Sequence, residues 1–400
     1  MTLNTSSNEL KKLSFEDTHI AFASKNNFEL QKAYWIFAIM NQNWFVKLGT
    51  FFIKLFLFLH FPIKKLIKTT IFQQFCGGES IADCENTIRG LNKVSIGTIL
   101  DYSVEGKTSD EDFDQTVNII IQTIHRAAND PHIPFAVFKV TGIGRHDLIE
   151  KASTAGYTPT SEEKAEIDVI VSRIDLICKA AYEAGTSVFI DAEESWIQDA
   201  IDQWTFDMML KYNKEKCIVF NTLQMYRHDR LAFLTDCLAL AKEHHVKYGI
   251  KLVRGAYMEK ERARAIEKGY PSPIQTTKAD TDKDYNEGLK IILENRSIFS
   301  LCAGTHNEDS SILLMNFMQE ANIDPQSEQF YFAQLLGMSD HISYNVAHAN
   351  YHVAKYVPFG PVKEVLPYLL RRADENTSVA GQTGRELSLI MKELDRRAKK

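Results

Sequence analysis

The side chains in this chain best suited to chemistry are charged and aromatic groups that recur just after short apolar runs. Arg371 and Arg372 are adjacent, with Glu375 one helical turn further on. Guanidinium groups fork onto carboxylates and phosphates, so such a pair, with Lys139 nearby, is suited to hold a small acid or a phosphate. Glu375, at i+4 and i+3 from the two arginines, is placed to orient one of them. Asp101, Lys139, Asp191 with Glu193 and Glu194, Gln224, Arg254 with Tyr257, Thr305-His306, Gln334 and Tyr356 share the same placement at the ends of apolar runs. Singly, each is an ordinary loop side chain or structural ion pair. As a set they are more than core packing requires. No HExxH string or Cys/His cluster accompanies His306, so no metal site is expected. A G-x-S-x-G elbow for a serine nucleophile is absent as well.

Those side chains need a scaffold that brings the ends of many strands together. Strand patterns run at 94–101, 135–140, 186–191, 217–223, 249–254, 298–303, 329–334 and 352–357. Helical patterns lie near 111–128, 162–184, 196–212, 228–246, 280–296, 307–321, 339–349 and 362–374. Eight strands, each followed by a helix, is the count of a (β/α)8 barrel, whose chemistry sits at the carboxyl ends of the strands. Runs apolar on both faces suit a parallel sheet covered by helices. A doubly wound open sheet would carry a G-x-G-x-x-G turn after its first strand. The nearest string, Gly142-Ile143-Gly144, lacks the third glycine and follows the second strand. The expectation is an α/β chain with an N-terminal helical region at 1–93, a barrel at 94–385 and a charged C-terminal helix or tail at 386–400. Residues 142–165 read as a long polar connection, a candidate lid over the catalytic face.

Composition narrows the class. The 400 residues are 44% hydrophobic and 24% charged, with net charge −6, which is ordinary for a globular protein and argues against a nucleic-acid binder. The six cysteines form no CxxC pair and read as buried thiols of a reducing compartment. Residues 1–30 resemble neither a secretory signal nor a transit peptide, so a cytoplasmic location is expected. Residues 44–78 depart from the average, with eight of the 24 phenylalanines, five lysines and no acid, which leaves −11 for the rest of the chain. The longest nearly apolar run there, 48–63, is shorter than the roughly 20 residues of a membrane-spanning helix. Lys47, Lys54, Lys65 and Lys68 share one side of a helical wheel, a pattern that suits either a buried amphipathic helix or one lying in a membrane interface. On residue types alone, two further readings stay open. One is a barrel aldolase with Lys139 as Schiff-base amine; the other is a membrane-surface scaffold working through 44–78.

Several strings resemble the proline dehydrogenase family. They are FIDAEE at 189–194, KLVRGAY at 251–257, THN at 305–307, QLLGM at 334–338, YVPFGPV at 356–362 and LPYLLRRADEN at 366–376. They occur in order across about 95–385. The resemblance implies a (β/α)8 flavoenzyme that uses FAD to oxidise L-proline to 1-pyrroline-5-carboxylate by hydride transfer to flavin N5, with a membrane quinone as electron acceptor. It implies that Lys139, Arg371 and Arg372 bind the substrate carboxylate, and that Tyr257, Leu335, Tyr356 and Tyr368 wall its ring. Asp191 and Lys251 match the catalytic positions. Gln224, Lys251, Arg254, Gly255, Ala256, Lys278, Thr305, His306 and Glu375 match positions toward the FAD. Lys251 stands where many bacterial members carry Arg, which resembles the mitochondrial-type branch. Asp374 replaces a usually apolar residue, and nothing explains it. The chain is too short for the fused aldehyde dehydrogenase of bifunctional members, so a separate 1-pyrroline-5-carboxylate dehydrogenase is expected downstream. The implied location is cytoplasmic, peripheral at the inner face of a membrane.

Overall fold

A computed structural model describes residues 14–42, 44, 48–49, 64–104, 106–378 and 382–399, with the side chains of 66 and 373–383 also outside the description. Eight strands close into one parallel barrel in sequence order. They are β1 (Ile96–Tyr102), β2 (Phe135–Lys139), β3 (Ser187–Asp191), β4 (Val219–Gln224), β5 (Tyr248–Val253), β6 (Phe299–Gly304), β7 (Phe330–Leu335) and β8 (Val353–Phe359). Closure comes from β1 on β8, in register from Ile96–Val353 to Tyr102–Phe359. Each expected strand is present, with boundaries shifted by at most two residues.

The period of two along each strand divides its side chains between two cores. Ile99, Phe135, Val137, Phe189, Phe220, Cys302, Ala333, Ala354 and Tyr356 fill the barrel interior. Leu100, Ala136, Phe138, Val188, Ile190, Ile250 and Leu301 point outward under the helices. The rings of Phe135 and Phe189 stack with centroids 4.3 Å apart, and the ring of Phe220 meets both edge-on. This aromatic plug fills the lower barrel beneath the rim. All six cysteines are buried and free.

Helix ends follow their capping residues. Thr160 with Glu163 and Thr277 with Asp280 form capping boxes at the starts of Ser161–Ala184 and Lys278–Glu294. Gly185 ends the first of these in a left-handed conformation.

Two helices appear where the sequence reading placed none. His146–Ala152 lies inside the candidate lid, with Leu148 and Ile149 buried against the barrel's helical layer. Met258–Lys268 follows β5 directly. Its sequence is so dense in charge that its narrow buried side, Glu261 and Ala265, gives no apolar period.

The chain termini pack on each other. Phe22, just after the short helix Thr18–Ala21, and Leu30 and Phe37 of the helix Asn27–Met40 meet Leu389 and Ile390 of the helix Gln382–Ala398. Burying each of these side chains contributes roughly 1.5–3 kcal/mol. Lys25 reaches Asp340 at 2.8 Å, and Asp340 in turn pairs with buried Lys355 of β8 at 2.9 Å. Gln74 donates to the Gly337 carbonyl at 3.0 Å. Gly337 has φ +75°, and a Cβ there would lie 2.1 Å from the Gln74 carbonyl oxygen, so only glycine fits this approach. Of the basic, phenylalanine-rich segment, 45–47 and 50–63 lie outside the described residues. Lys64 and Lys68 are described, and both pair with Glu79. Among the described residues, no helix is long and apolar enough to cross a membrane.

Candidate active site

Strand direction and register decide which polar groups meet. Lys139 and Asp191 are the last residues of β2 and β3 and are register partners. Lys251 rises from β5 and Tyr356 from β8 into the same space. The Lys251 ammonium bonds the Asp191 carboxylate and donates to the Tyr356 hydroxyl at 2.7 Å, with Tyr356 Oη 3.4 Å from Asp191. It also lies 4.7 Å from the Tyr356 ring centroid and 5.6 Å from that of Phe189. Burial, then the Asp191 charge, pushes the Tyr356 phenol well above its ordinary value, so the hydroxyl keeps its proton. A buried ammonium is costly without such partners; here a carboxylate, a hydroxyl and two ring faces supply them. Asp101, deeper on β1, accepts from Ser103 at 2.6 Å, and burial raises its carboxyl against the Lys139 charge.

The helix Val362–Ser378 leaves β8 and brings Arg371 and Arg372 to this mouth. The Arg371 guanidinium lies 5.8 Å from the Tyr257 ring centroid, and that of Arg372 lies 5.2 Å from that of Tyr368. Tyr368 is buried, and Leu335, the last residue of β7, is half-buried and packs beside it. Glu375 lies on the same helix, but its side chain, like that of Asp374, is outside the described residues.

A second set lies around the exits of β5, β6 and β7. Arg254 donates to Asp282 at 2.6 Å, Thr305 at 2.6 Å and Ser310 at 2.9 Å, and packs its guanidinium on the Tyr285 ring. Lys278, the first residue of its helix, pairs with Asp282 at 2.5 Å. Gly255 has φ +138°, and a Cβ there would lie 2.5 Å from the Tyr226 ring. The amide of Ala256 donates to Gln224 at 3.1 Å, while the Gln224 side chain donates to the Glu193 carbonyl at 2.6 Å. His306 contacts Ser339 at 2.9 Å. Burial, with the cations Lys355 and Arg372 beside it, pushes its imidazole down to about 3, so it is neutral at physiological pH.

Two neighbours on the β3 exit differ sharply. Glu193 accepts from Thr141 N at 3.0 Å and Thr141 Oγ1 at 2.5 Å, yet burial pushes its carboxyl up to about 7. Burial also opposes ionisation of Glu194, but bonds from His146 and Lys260 outweigh it and hold that carboxyl at about 2. A carboxyl raised in the folded state stabilises the fold fully below its unfolded value, and that contribution is lost as pH rises toward the folded value. Glu193→Gln, neutral at every pH, is therefore expected to gain thermal stability over wild type between pH 5 and pH 8. The gain reaches at most a few kcal/mol at about 1.4 kcal/mol per pKa unit. A gap in melting temperature that does not change with pH would show that Glu193 is ionised throughout.

The structure thus gathers Lys139, Asp191, Lys251, Tyr356, Tyr257, Tyr368, Leu335, Arg371 and Arg372 at the barrel mouth. Gln224, Arg254, Gly255, Ala256, Lys278, Thr305 and His306 lie along the adjoining rim. Sequence reading missed buried Lys355, which donates to the carbonyls of Met338 at 2.5 Å and Leu335 at 3.3 Å and so fixes the β7 exit. It missed buried Glu261 as well. Neither has a sequence signal, since a lysine in a strand and a glutamate in a charged helix both read as surface residues.

A family model described as proline dehydrogenase matches residues 84–385. "Proline dehydrogenase 1, mitochondrial" of Dictyostelium discoideum is 34% identical over 426 aligned positions, covering 95% of this chain and 74% of that protein. The human protein of the same name is 40% identical over 64% of this chain, which spans 44% of its length. The carbapenem antibiotics biosynthesis protein CarD of Pectobacterium carotovorum is 32% identical over 81% of the chain and 83% of its own length. Among solved structures, proline utilization A from Bdellovibrio bacteriovorus superposes with a TM-score of 0.72 at 20% identity, over 90% of this chain and 38% of that one, a likeness of fold. On the family match and these relatives together, the chain belongs to the proline dehydrogenase family of flavin-dependent oxidoreductases.

Proposed function

We propose that this protein oxidises L-proline to 1-pyrroline-5-carboxylate with FAD as its cofactor and a membrane quinone as electron acceptor. The observation that carries the reading is the meeting of an arginine pair, their tyrosine partners and the Asp191–Lys251–Tyr356 cluster at one barrel mouth. The adjoining rim fits a flavin dinucleotide. Arg254 has five N–H donors, of which the bonds to Asp282, Thr305 and Ser310 use three. The remaining donors, with the Lys278 ammonium, suit a pyrophosphate. Gly255, at φ +138° with the Tyr226 ring packed where a Cβ would lie, fixes the backbone turn that leads into this rim.

When bound, FAD would supply the redox chemistry, accepting the hydride lost from the substrate's C5 and passing the electron pair on to a quinone. The protein's own residues orient a small zwitterion. Lys139, Arg371 and Arg372 hold its carboxylate, where exclusion of water strengthens every charge contact. Tyr257, Leu335, Tyr356 and Tyr368 enclose the ring. Asp191, fixed by Lys251, stands at the ring's edge. Lys251 and Gln224 would meet its flavin ring, and Arg254, Gly255, Ala256, Lys278, Thr305 and His306 would hold the rest of it. The product, 1-pyrroline-5-carboxylate, would be taken onward by a dehydrogenase step. Anaerobic addition of L-proline to the FAD-loaded protein is expected to bleach its flavin absorbance, and a spectrum unmoved by proline would refute the reading.

The quinone assignment draws support from an exposed apolar face. Phe28, Trp35 and Ile39 share one side of Asn27–Met40, opposite its buried Leu30, Ala33, Phe37 and Met40, and Trp35 is 65% exposed. Exposed Trp44 and Leu48 continue toward the basic segment. Aromatic and basic groups together suit an anionic membrane surface, which supports a peripheral location at the inner face of the membrane. The wild type is expected to float with anionic vesicles. A variant with Lys47, Lys54, Lys65 and Lys68 changed to Glu is expected to stay behind, and equal flotation would remove the electrostatic docking.

A further inference from the structure

Glu261 is fully buried on a helix whose neighbouring charges, Glu259 and Lys260, lie in solvent. Both of its carboxylate oxygens are engaged by one residue of another element: Ser195 N donates at 2.6 Å and Ser195 Oγ at 2.7 Å. Ser195 opens the 18-residue helix Ser195–Tyr212, and Glu194 at its N-cap makes no side-chain capping bond. The first amides of a helix have no partner within it and carry the positive end of its dipole. Glu261 supplies, from a different helix, the cap that this helix lacks.

We propose that Glu261 is a positioning residue for the substrate pocket, tying the helix that starts after Tyr257 to the exit of β3. The inference rests on the reading of Tyr257 as a wall of a proline pocket. On one side of the tether, Glu261 N donates to Tyr257 O at 2.9 Å, so a single helical turn connects the carboxylate to the backbone that carries the Tyr257 ring and faces Arg371. On the other side, Ser195 lies four residues after Asp191, which is bound to Lys251 beside Tyr356. The tether therefore sets the separation of two halves of the pocket, Asp191–Lys251–Tyr356 and Tyr257–Arg371.

Two other contacts cross the same seam. Lys260 pairs with Glu194, and Arg264 pairs with Glu150 while its guanidinium lies 4.3 Å from the Trp196 ring centroid. Lys260 is 63% exposed at its side chain, so water can take up its ammonium, and Glu194 keeps a second partner in His146. Glu261 has no such substitute, because water does not reach it.

The test is anaerobic flavin reduction by L-proline, followed against proline concentration in the full-length, FAD-loaded protein. Glu261→Leu is expected to raise the half-saturating proline concentration at least tenfold, with the limiting rate and flavin content within threefold of wild type. Glu261→Gln keeps an acceptor for the Ser195 amide and a partner for its hydroxyl, and is expected to remain within threefold of wild type. Ser195→Ala, which loses one of the two bonds, should fall between. Wild-type half-saturation in Glu261→Leu overturns the proposal, as does a loss of flavin and rate with half-saturation unmoved. Failure of the amide variant to rescue overturns it too. Should Glu261→Leu not fold, Ser195→Ala decides: a rise of threefold or more supports the tether, and no rise overturns it. A wild type that proline does not reduce removes the functional reading and this role with it.

Discussion

Replacing Arg372 by alanine is expected to raise the KM for proline by about two orders of magnitude while FAD stays bound. Truncating one partner of a buried, hydrogen-bonded charge pair costs about 2–5 kcal/mol, and each 1.4 kcal/mol is a factor of ten. The Arg372 guanidinium lies 5.2 Å from the Tyr368 ring centroid, whereas the rim cation Arg254 is held separately by Thr305 and Asp282. Its loss should therefore weaken hold on the substrate carboxylate and leave the dinucleotide grip intact. Arg372→Lys should recover only part of the affinity, since a point charge replaces a planar fork. Steady-state kinetics with flavin absorbance on the same samples checks this. An unchanged KM would remove Arg372 from the clamp.

Lys251→Met should act on rate more than on affinity. In the wild type its ammonium is the counter-ion of Asp191 and donates to Tyr356. Removing it leaves a carboxylate in a closed site without its partner, a situation worth about 3–5 kcal/mol. The Asp191 carboxylate then loses the group that fixes it, and under the proposed reading the flavin loses a positive charge that would favour its reduction. Together these should lower kcat by about 100- to 1000-fold, at 1.4 kcal/mol per factor of ten. The flavin midpoint potential should fall by about 30 mV or more, the equivalent of 1.4 kcal/mol for a two-electron couple. Lys251→Arg keeps the charge and should retain most of the rate. A potential unmoved in Lys251→Met would separate this lysine from the cofactor.

Strand periodicity made most of the site readable from sequence. A parallel barrel orders its strands by number, so locating eight apolar runs also locates eight carboxyl ends. The residues at those ends, from Asp101 to Tyr356, then fall on one rim without any knowledge of contacts. Local signals failed where burial is set by tertiary partners. Glu261 and Lys355 are charged residues whose partners, Ser195 and Asp340, are distant in sequence or hidden in a loop exit. The helix Met258–Lys268 was invisible because its core-facing side is a glutamate and an alanine. The connection at 142–165 read as a polar loop because its helix is only seven residues long, anchored by Leu148 and Ile149.

The pairing of the two chain ends bears on the order of assembly. The helix carrying Arg371 and Arg372 lies between the last strand and the C-terminal helix, whose Leu389 and Ile390 pack on Phe22, Leu30 and Phe37. Contacts such as Lys25 with Asp340 and Lys392 with Glu16 span more than 300 residues. Such long-range contacts form late, because the chain must lose loop entropy before they repay it. During synthesis the first helices must wait, with apolar faces uncovered, until Gln382–Ala398 has left the ribosome. Arg371 and Arg372 are thus among the later groups to be set, and under the proposed reading a barrel not yet joined to that helix lacks a settled grip on the substrate carboxylate.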